Sequence, residues 1–426
     1  MANVKGTYDF VGATQALRRR VQTVMREVFE LYDFDEMEST ILTDLDILTS
    51  KYAGGDEILK EMYTLVDQGG RELGLRYDLT IPFAKVIAEK PGMELPYRRY
   101  EMGKVFRDGP VKRGRLREFL QCDVDVVGAE GPEIEAELML IATEVFSRLG
   151  IPIVLRWNNR LFLAEVLASI GVPAEEWTSV MLTLDKIAKI GEAGIVQELC
   201  DKGLDAAVIC KIVELAGMEQ PSFAEVSLKF GVVETRGAEE VLALQRIIDR
   251  LELGGVCVFD PFLSRGLSFY TGTVYEIFDA NNEYASSLGG GGRYDKIIAK
   301  LIGRDDRSYQ AVGLSFGMES IMEMLKDRPA EPALPAVIVL PIGDTAPEAL
   351  KTAAMLRSSG IRTAVETGRR KLKKSLATAA VRGIRYVILI GTDEVADGKV
   401  MLKDMKEAAQ ALVSMEEAVG LIVGKK

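Results

Sequence analysis

Two extended segments joined by a basic loop constrain this chain more than any other feature. PYRRYEMGKVFRDG (96–109) and REFLQCDVDVVG (117–128) read as strands. The second alternates with period two at Phe119, Gln121, Asp123 and Asp125, so its polar groups share one face. The link is dense in cations: Arg107, Lys112, Arg113, Arg115 and Arg117. A charge run alone usually marks a solvated face. Closing this hairpin, however, sets the cations beside Gln121, Asp123 and Asp125, so both signs share one cleft. The arginine fork donates two parallel hydrogen bonds and suits phosphate. Carboxylates on the adjoining strand suit a cationic substrate group or a magnesium ion.

The remaining chain arranges itself around that hairpin. With 426 residues, two or three domains are expected. Residues 14–32 carry an apolar stripe at Leu17, Val21, Val24, Met25, Val28 and Leu31, which predicts a helix with a basic opposite face. GLRYDLTIPF (74–83) reads as extended, and residues 132–149 as a helix opened by Pro132. From about 161 to 252 the chain turns acidic and helix-rich, as an inserted subdomain would. Strand-like alternation returns over 256–278, four glycines follow at 289–292, and 311–325 reads as a strand turning into a helix. The proline-rich KDRPAEPALPA (326–336) is the clearest linker. Beyond it, strand, helix, strand, helix, two strands and a helix make a small α/β domain. The expected division is therefore 1–325, linker 326–336, and 337–426.

Composition narrows the chemistry. The chain contains no histidine, which excludes Ser-His-Asp, Cys-His and His–metal mechanisms. Whatever reaction it runs must use positioning, electrostatics or carboxylates. The net charge is −11, unevenly spread. From residue 333 onward there are 15 basic against 10 acidic residues, and before it 38 against 54. A basic tail on an acidic body can still bind a polyanion, because fields decay over a Debye length of about 8 Å. Cys122, Cys200, Cys210 and Cys257 are scattered, with no CxxC pair, and read as reduced thiols of a cytoplasmic protein. No apolar stretch approaches a membrane span, and the N-terminus has no export signal.

Taken together, these segments resemble the histidyl-tRNA synthetases, class II aminoacyl-tRNA synthetases. An arginine closing one strand, a basic loop and a returning strand resemble motif 2. LRYDLTIPFA (75–84), RGLSFYTGTVYE (265–276), GGGGRYD (289–295) and KGTYDF (5–10) are similar to further segments of that family, in family order. Singly, Tyr270 reads as a strand aromatic, Arg265 as a turn residue and the glycine run as a loop; jointly they carry the resemblance. It implies a mixed α/β fold of α+β type: an antiparallel-sheet catalytic domain with a helical insertion, followed by an α/β anticodon-binding domain. It implies ATP with Mg2+ as substrate, L-histidine and tRNA(His) as partners, a homodimer, and no tightly bound protein-ligated metal.

The resemblance also implies residue roles. Arg107 and Arg265 would stabilise charge at the α-phosphate. Asp78 and Thr80 would hold the α-amino group; Gln121, Asp125 and Tyr270 would read the amino acid, with Gly290 allowing close backbone approach. Arg115 would sit near ATP or the tRNA acceptor end. Arg369, Arg370, Lys371, Lys373 and Lys374 form the basic cluster of the tail. The chain departs from the family at three places. Ser268 and Phe269 stand where Asp-Tyr is usual. Gly109 and Pro110 displace the motif 2 acid. Ser320 stands where motif 3 has an arginine that clamps the γ-phosphate. Arg304 and Arg307 are the nearest replacements in sequence. The last departure keeps a second reading open: a non-catalytic, histidine-sensing paralogue like the regulatory subunit of ATP phosphoribosyltransferase.

Overall fold

The structure, a computed structural model, describes residues 2–49, 59–265, 269–303, 309–328, 335–368 and 371–424. The chain separates into two compact units, Met1–Pro329 and Ala330–Lys426.

In the first unit the strands are β1 (Asp35–Glu36), β2 (Leu42–Asp44), β3 (Thr64–Val66), β4 (Glu72–Leu75), β5 (Tyr97–Phe106), β6 (Glu118–Val127), β7 (Ile153–Asn159), β8 (Cys257–Phe259), β9 (Thr273–Asp279), β10 (Gly289–Arg293) and β11 (Ala311–Gly317). The large sheet has the order β1-β5-β6-β11-β10-β9-β7-β8, and a small one runs β2-β4-β3. All pairs in the large sheet are antiparallel except β1 with β5 and β7 with β8, both at its edges. One face of this sheet is apolar and covered by helices α1 (Gly12–Leu31) and α4 (Glu133–Leu149); α2 (Leu45–Thr49) and α3 (Thr80–Glu89) lie between them in the chain. Phe29 of α1 meets Tyr100 and Phe316, and Phe146 of α4 meets Phe316. The period-two pattern thus works as expected: Cys122, Val124 and Val126 belong to the buried apolar set, and the alternate residues face the other way.

Two expectations change. Residues 74–83 are not one extended piece: β4 ends at Leu75 and α3 begins at Thr80. The apolar, β-branched LTIPF misled; Pro82 fits the first helical turn, where an amide N–H has no intrahelical acceptor. Residues 256–278 are not one continuous alternation: β8 ends at Phe259 and β9 begins at Thr273. Between β7 and β8 the chain is helical, including Arg160–Ile170, Trp177–Leu184, Ala206–Ala216, Phe223–Phe230 and Arg236–Arg250.

The second unit is a five-stranded sheet, β13-β12-β14-β15-β16, of β12 (Val337–Pro341), β13 (Thr363–Val365), β14 (Tyr386–Ile390), β15 (Val400–Asp404) and β16 (Ala409–Val413). Strand β12 is parallel to β13 and β14; β15 and β16 add antiparallel. Val337 and Val339 join one core and Ile338 and Leu340 another, so helices cover both faces. Strand β16 was not expected: AQALV has little β propensity and sits exposed on the sheet edge.

Candidate active site

Antiparallel register builds the floor of the site. Directly opposed residues point to the same face. Three rows therefore cross the large sheet: Gly103, Gln121 and Gly317; Glu101, Asp123, Ser315, Gly290 and Glu276; Arg99, Asp125, Gly313 and Gly292. These rows bring Gln121, Asp125 and Gly290 together on one surface.

Asp125 is held from several sides. Tyr294 Oη donates to its Oδ1 (2.5 Å), and Arg99 Nη2 lies 2.7 Å from Oδ2. Arg99 is fully buried, lies over the Phe83 ring and donates to the Leu79 carbonyl. A methyl group on Gly313 would stand 1.9 Å from Asp125 Oδ1, so only glycine fits there. Asp123 and Gln121 differ. Asp123 Oδ1 and Gln121 Oε1 are buried with no hydrogen-bond partner among the described residues, while Gln121 Nε2 donates to Ser315 Oγ (2.9 Å). Buried acceptors without donors are costly and point to a ligand that brings N–H groups. Burial pushes the Asp123 carboxyl well above the usual range; Asp125 pushes it further, and Arg99 opposes. Burial lifts Asp125 too, against the pull of Arg99 and Tyr294.

Asp78 sits just before α3, with its Oδ1 accepting the Ile81 N–H (3.1 Å). Burial raises its pKa to about 6, although the Ile81 and Thr80 amides and Arg107 all favour the anion. Thr80 is the first residue of α3. Arg107 donates Nε–H to the Tyr77 carbonyl (3.0 Å) and lies over the Phe119 ring. Its guanidinium is thereby aimed by the same short segment that carries Asp78.

Arg265 follows β8 in the chain, in the left-handed region at φ 59°. A non-glycine residue there stores strain and is held by its surroundings. Its Nη1 is 3.0 Å from Glu276 Oε1, and a hydrogen bond joins it to Tyr270. The glycine run explains how both side chains lie flat on the sheet. A Cβ on Gly290 would be 2.6 Å from Arg265 Nη1, and one on Gly292 3.0 Å from the Tyr270 ring. These glycines form strand β10 rather than a loop, and what approaches them is the protein's own arginine and tyrosine. Ser268 lies outside the described residues, as do Arg304 and Arg307.

Next to this floor opens a cavity of about 480 Å³, lined among others by Arg107, Arg113, Arg115, Phe119, Glu276, Tyr284 and Ser320. Glu319, the residue before Ser320, is committed to structure. It takes a two-pronged pair from Arg18 of α1 (2.6 and 2.9 Å) and the Leu120 N–H. Arg115 reaches the same cavity but is paired with Glu61 (2.6 Å). Sequence reasoning missed Glu61. Its carboxylate lies 2.6–2.7 Å from where a Cβ on Gly109 would be, and its carbonyl accepts the Asp108 N–H. A carboxylate from another segment thus stands where the loop's own acid is displaced. Arg99, Tyr284 and Tyr294 were likewise given no role of their own; Asp123 was legible in the period-two pattern, and Tyr294 stands within the GGGGRYD segment. In the second unit Lys371, Lys373 and Lys374 are exposed, and Arg369 and Arg370 lie outside the described residues. Among the described residues no cluster of three or more Cys, Asp and Glu could hold a metal ion.

Known proteins match this chain over nearly its full length. A histidyl-tRNA synthetase family profile matches residues 6–321, and an anticodon binding domain profile matches 336–425. "Histidine--tRNA ligase 1" of Bacillus anthracis is 43% identical over 418 residues, 97% of each chain. "Histidine--tRNA ligase 2" of Shouchella clausii is 44% identical, covering 96% of this chain and 97% of its own. The crystal structure of histidyl-tRNA synthetase from Nostoc sp. PCC 7120 superposes with a TM-score of 0.83 at 27% identity, over 100% of this chain and 99% of that one. By the profile over residues 6–321 and by these relatives over nearly its full length, the chain belongs to the histidyl-tRNA synthetase family.

Proposed function

We propose that this protein joins L-histidine to ATP, giving histidyl-adenylate and pyrophosphate, and passes the histidyl group to tRNA(His). The observation that carries the reading is the pair of buried acceptors, Gln121 Oε1 and Asp123 Oδ1, on the same sheet face as Arg265 and beside the cavity that holds Arg107. In the first step a histidine carboxylate oxygen forms a bond to the α-phosphorus, and the bond to the pyrophosphate oxygen breaks. The nucleophile is already an anion, so no base is required; this suits a chain without histidine. Arg107 and Arg265 oppose the charge that builds on the α-phosphate. Asp78 and Thr80 take the α-ammonium group. Gln121, Asp125 and Tyr270 meet the imidazole side, Asp125 fixed by Arg99 and Tyr294 so that it cannot turn away. Magnesium enters with ATP as part of the substrate complex.

In this reading residues 1–325 form the catalytic domain, with a helical insertion at about 161–252. Residues 326–336 link it to an anticodon-binding domain at 337–426, whose exposed lysines at 371, 373 and 374 face tRNA phosphates. No described helix is long and apolar enough to cross a membrane; the cytoplasm is the compartment that fits a role in translation. The test is direct. The full chain should catalyse histidine-dependent exchange of pyrophosphate into ATP and should charge tRNA(His). A chain ending at residue 332 should keep the exchange and lose most of the charging, and charging by the full chain should weaken steeply with salt. Exchange that does not depend on histidine would overturn the reading.

A homodimer belongs with this proposal. Val4, Tyr8, Val11, Ile41, Leu42 and Val66 are exposed apolar side chains concentrated in the first 66 residues, and an isologous interface would cover such a surface twice. Light scattering at micromolar concentration should give twice the 46.8 kDa chain mass; a single chain mass refutes the dimer.

A further inference from the structure

The arginine absent at position 320 leaves a question of charge. ATP brings a triphosphate, and Ser320 cannot neutralise any of it. The structure places something specific at this spot. Tyr284 is buried, and its hydroxyl donates to Ser320 Oγ at 3.2 Å. The phenol therefore sits over the serine, in the space that a longer side chain at position 320 would have to cross. Gly114, in the turn of the basic loop, is fitted to the same phenol: a Cβ there would stand 1.9 Å from Tyr284 Oη and 3.4 Å from Ser320 Oγ. A longer side chain at position 320 would have to displace the Tyr284 phenol or pass around it.

The residue before Gly114 supplies a cation. Arg113 lies with its Cζ 5.3 Å from the centroid of the Tyr284 ring, within cation–π range. Its Nε donates to Glu323 Oε2 (2.7 Å), one helical turn beyond Ser320. No further hydrogen-bond partner of Arg113 is found among the described residues. With Nε tied to Glu323, the two terminal amino groups remain to donate. Arg113, Tyr284 and Ser320 all line the cavity that holds Arg107.

We propose that Arg113, seated on Tyr284, is the binding residue for the β- and γ-phosphates of ATP in this protein, in place of an arginine at position 320. The proposal rests on the ligase reading above. Tyr284 is a positioning residue: it holds the guanidinium through its ring and closes the space over Ser320. The cation arrives from the loop between β5 and β6 rather than from the helix that starts at Met318. It grips the part of ATP that leaves as pyrophosphate, away from the bond being formed. Its contribution is then nearly equal in the ground state and the transition state, which changes KM and not kcat.

The experiment is pyrophosphate exchange against ATP concentration, with AMP binding measured alongside by calorimetry. Arg113→Ala should raise the KM for ATP about tenfold, with kcat and the KM for histidine within about twofold and AMP affinity unchanged. Arg113→Lys should fall between, since it keeps charge and loses the fork. In the double variant Tyr284→Ala/Ser320→Arg, an arginine has room at 320; adding Arg113→Ala there should shift the ATP KM by less than in the parent. Arg113 is about half exposed on a loop, so its replacement should not unfold the chain. An unchanged ATP KM in Arg113→Ala overturns the proposal while histidine-dependent exchange keeps the ligase reading intact. Equal weakening of ATP and AMP also overturns it, because AMP has no β- or γ-phosphate. An unmodified protein without histidine-dependent exchange overturns the ligase reading instead.

Discussion

Replacing Arg265 by alanine should lower the rate of histidyl-adenylate formation by about 100-fold or more, the scale of a lost contact to developing charge in a water-poor site. The side chain is held for that purpose. Its backbone is strained at φ 59°, its guanidinium is braced by Glu276 and Tyr270, and Gly290 leaves the room it occupies. Strain at a residue persists only where the surroundings over-determine it. Lysine should rescue poorly. A point charge on a flexible stem can answer Glu276 or a phosphate, but it lacks the planar fork that serves both. The loss should fall on kcat at saturating ATP and histidine, the opposite of the KM effect expected at Arg113. Pre-steady-state formation of pyrophosphate measures it, with thermal melting as a control that the sheet is intact. A variant that keeps near-normal adenylation would mean that Arg265 merely pairs Glu276, and that Arg107 works alone.

Much of this site was legible before the structure, for a physical reason. Strands have period two, so Gln121, Asp123 and Asp125 had to share a face once residues 117–128 were read as a strand. The glycine run and the cationic loop were equally visible, since each is a local property of the chain. The partners were not. Arg99 meets Asp125 through the register of β5 with β6, and Tyr294 reaches the same carboxylate from across the sheet. Glu61 stands beside Gly109, and Tyr284 under Gly114, across gaps in sequence that no local pattern spans. Tyr284 was unremarkable in the sequence because an aromatic in a turn between strands has many ordinary uses. The helix at Thr80–Glu89 was lost to propensity: its first turn contains isoleucine and proline, and only the Asp78 cap and the packing of Ile81, Phe83 and Ile87 into the core reveal it. What local periodicity can express was readable. What depends on which strands become neighbours was not.

Asp78→Asn should make the empty protein more stable at neutral pH and a worse binder of histidine. In the folded chain burial raises the Asp78 pKa to about 6, from an ordinary value of 3.8. The folded state therefore keeps a proton that the unfolded chain releases. Stability from that proton is complete below pH 3.8 and is lost as pH rises through 6; above pH 6 the protein carries the full cost of a buried anion. One pKa unit corresponds to about 1.4 kcal/mol, so two units give roughly 3 kcal/mol as an upper scale. Asparagine is neutral at every pH and can still accept the Ile81 N–H. Its advantage over the parent should be small near pH 4, grow to pH 6 and level off by pH 7.5, as read by urea denaturation. Histidine reverses the order. Its ammonium group meets an anion in the parent and a neutral amide in the variant, a charge-assisted hydrogen bond of about 1.5–3 kcal/mol, or 10- to 100-fold in affinity. Saturating histidine should then raise the melting temperature of the parent more than that of the variant, because ligand stabilises in proportion to how tightly it binds the folded state. A variant less stable than the parent at pH 7.5 would show that Asp78 is held by its capping contacts more than it is penalised by burial. Unchanged histidine affinity would remove Asp78 from the α-amino site and leave Asp123, whose buried Oδ1 has no hydrogen-bond partner among the described residues, to take that charge.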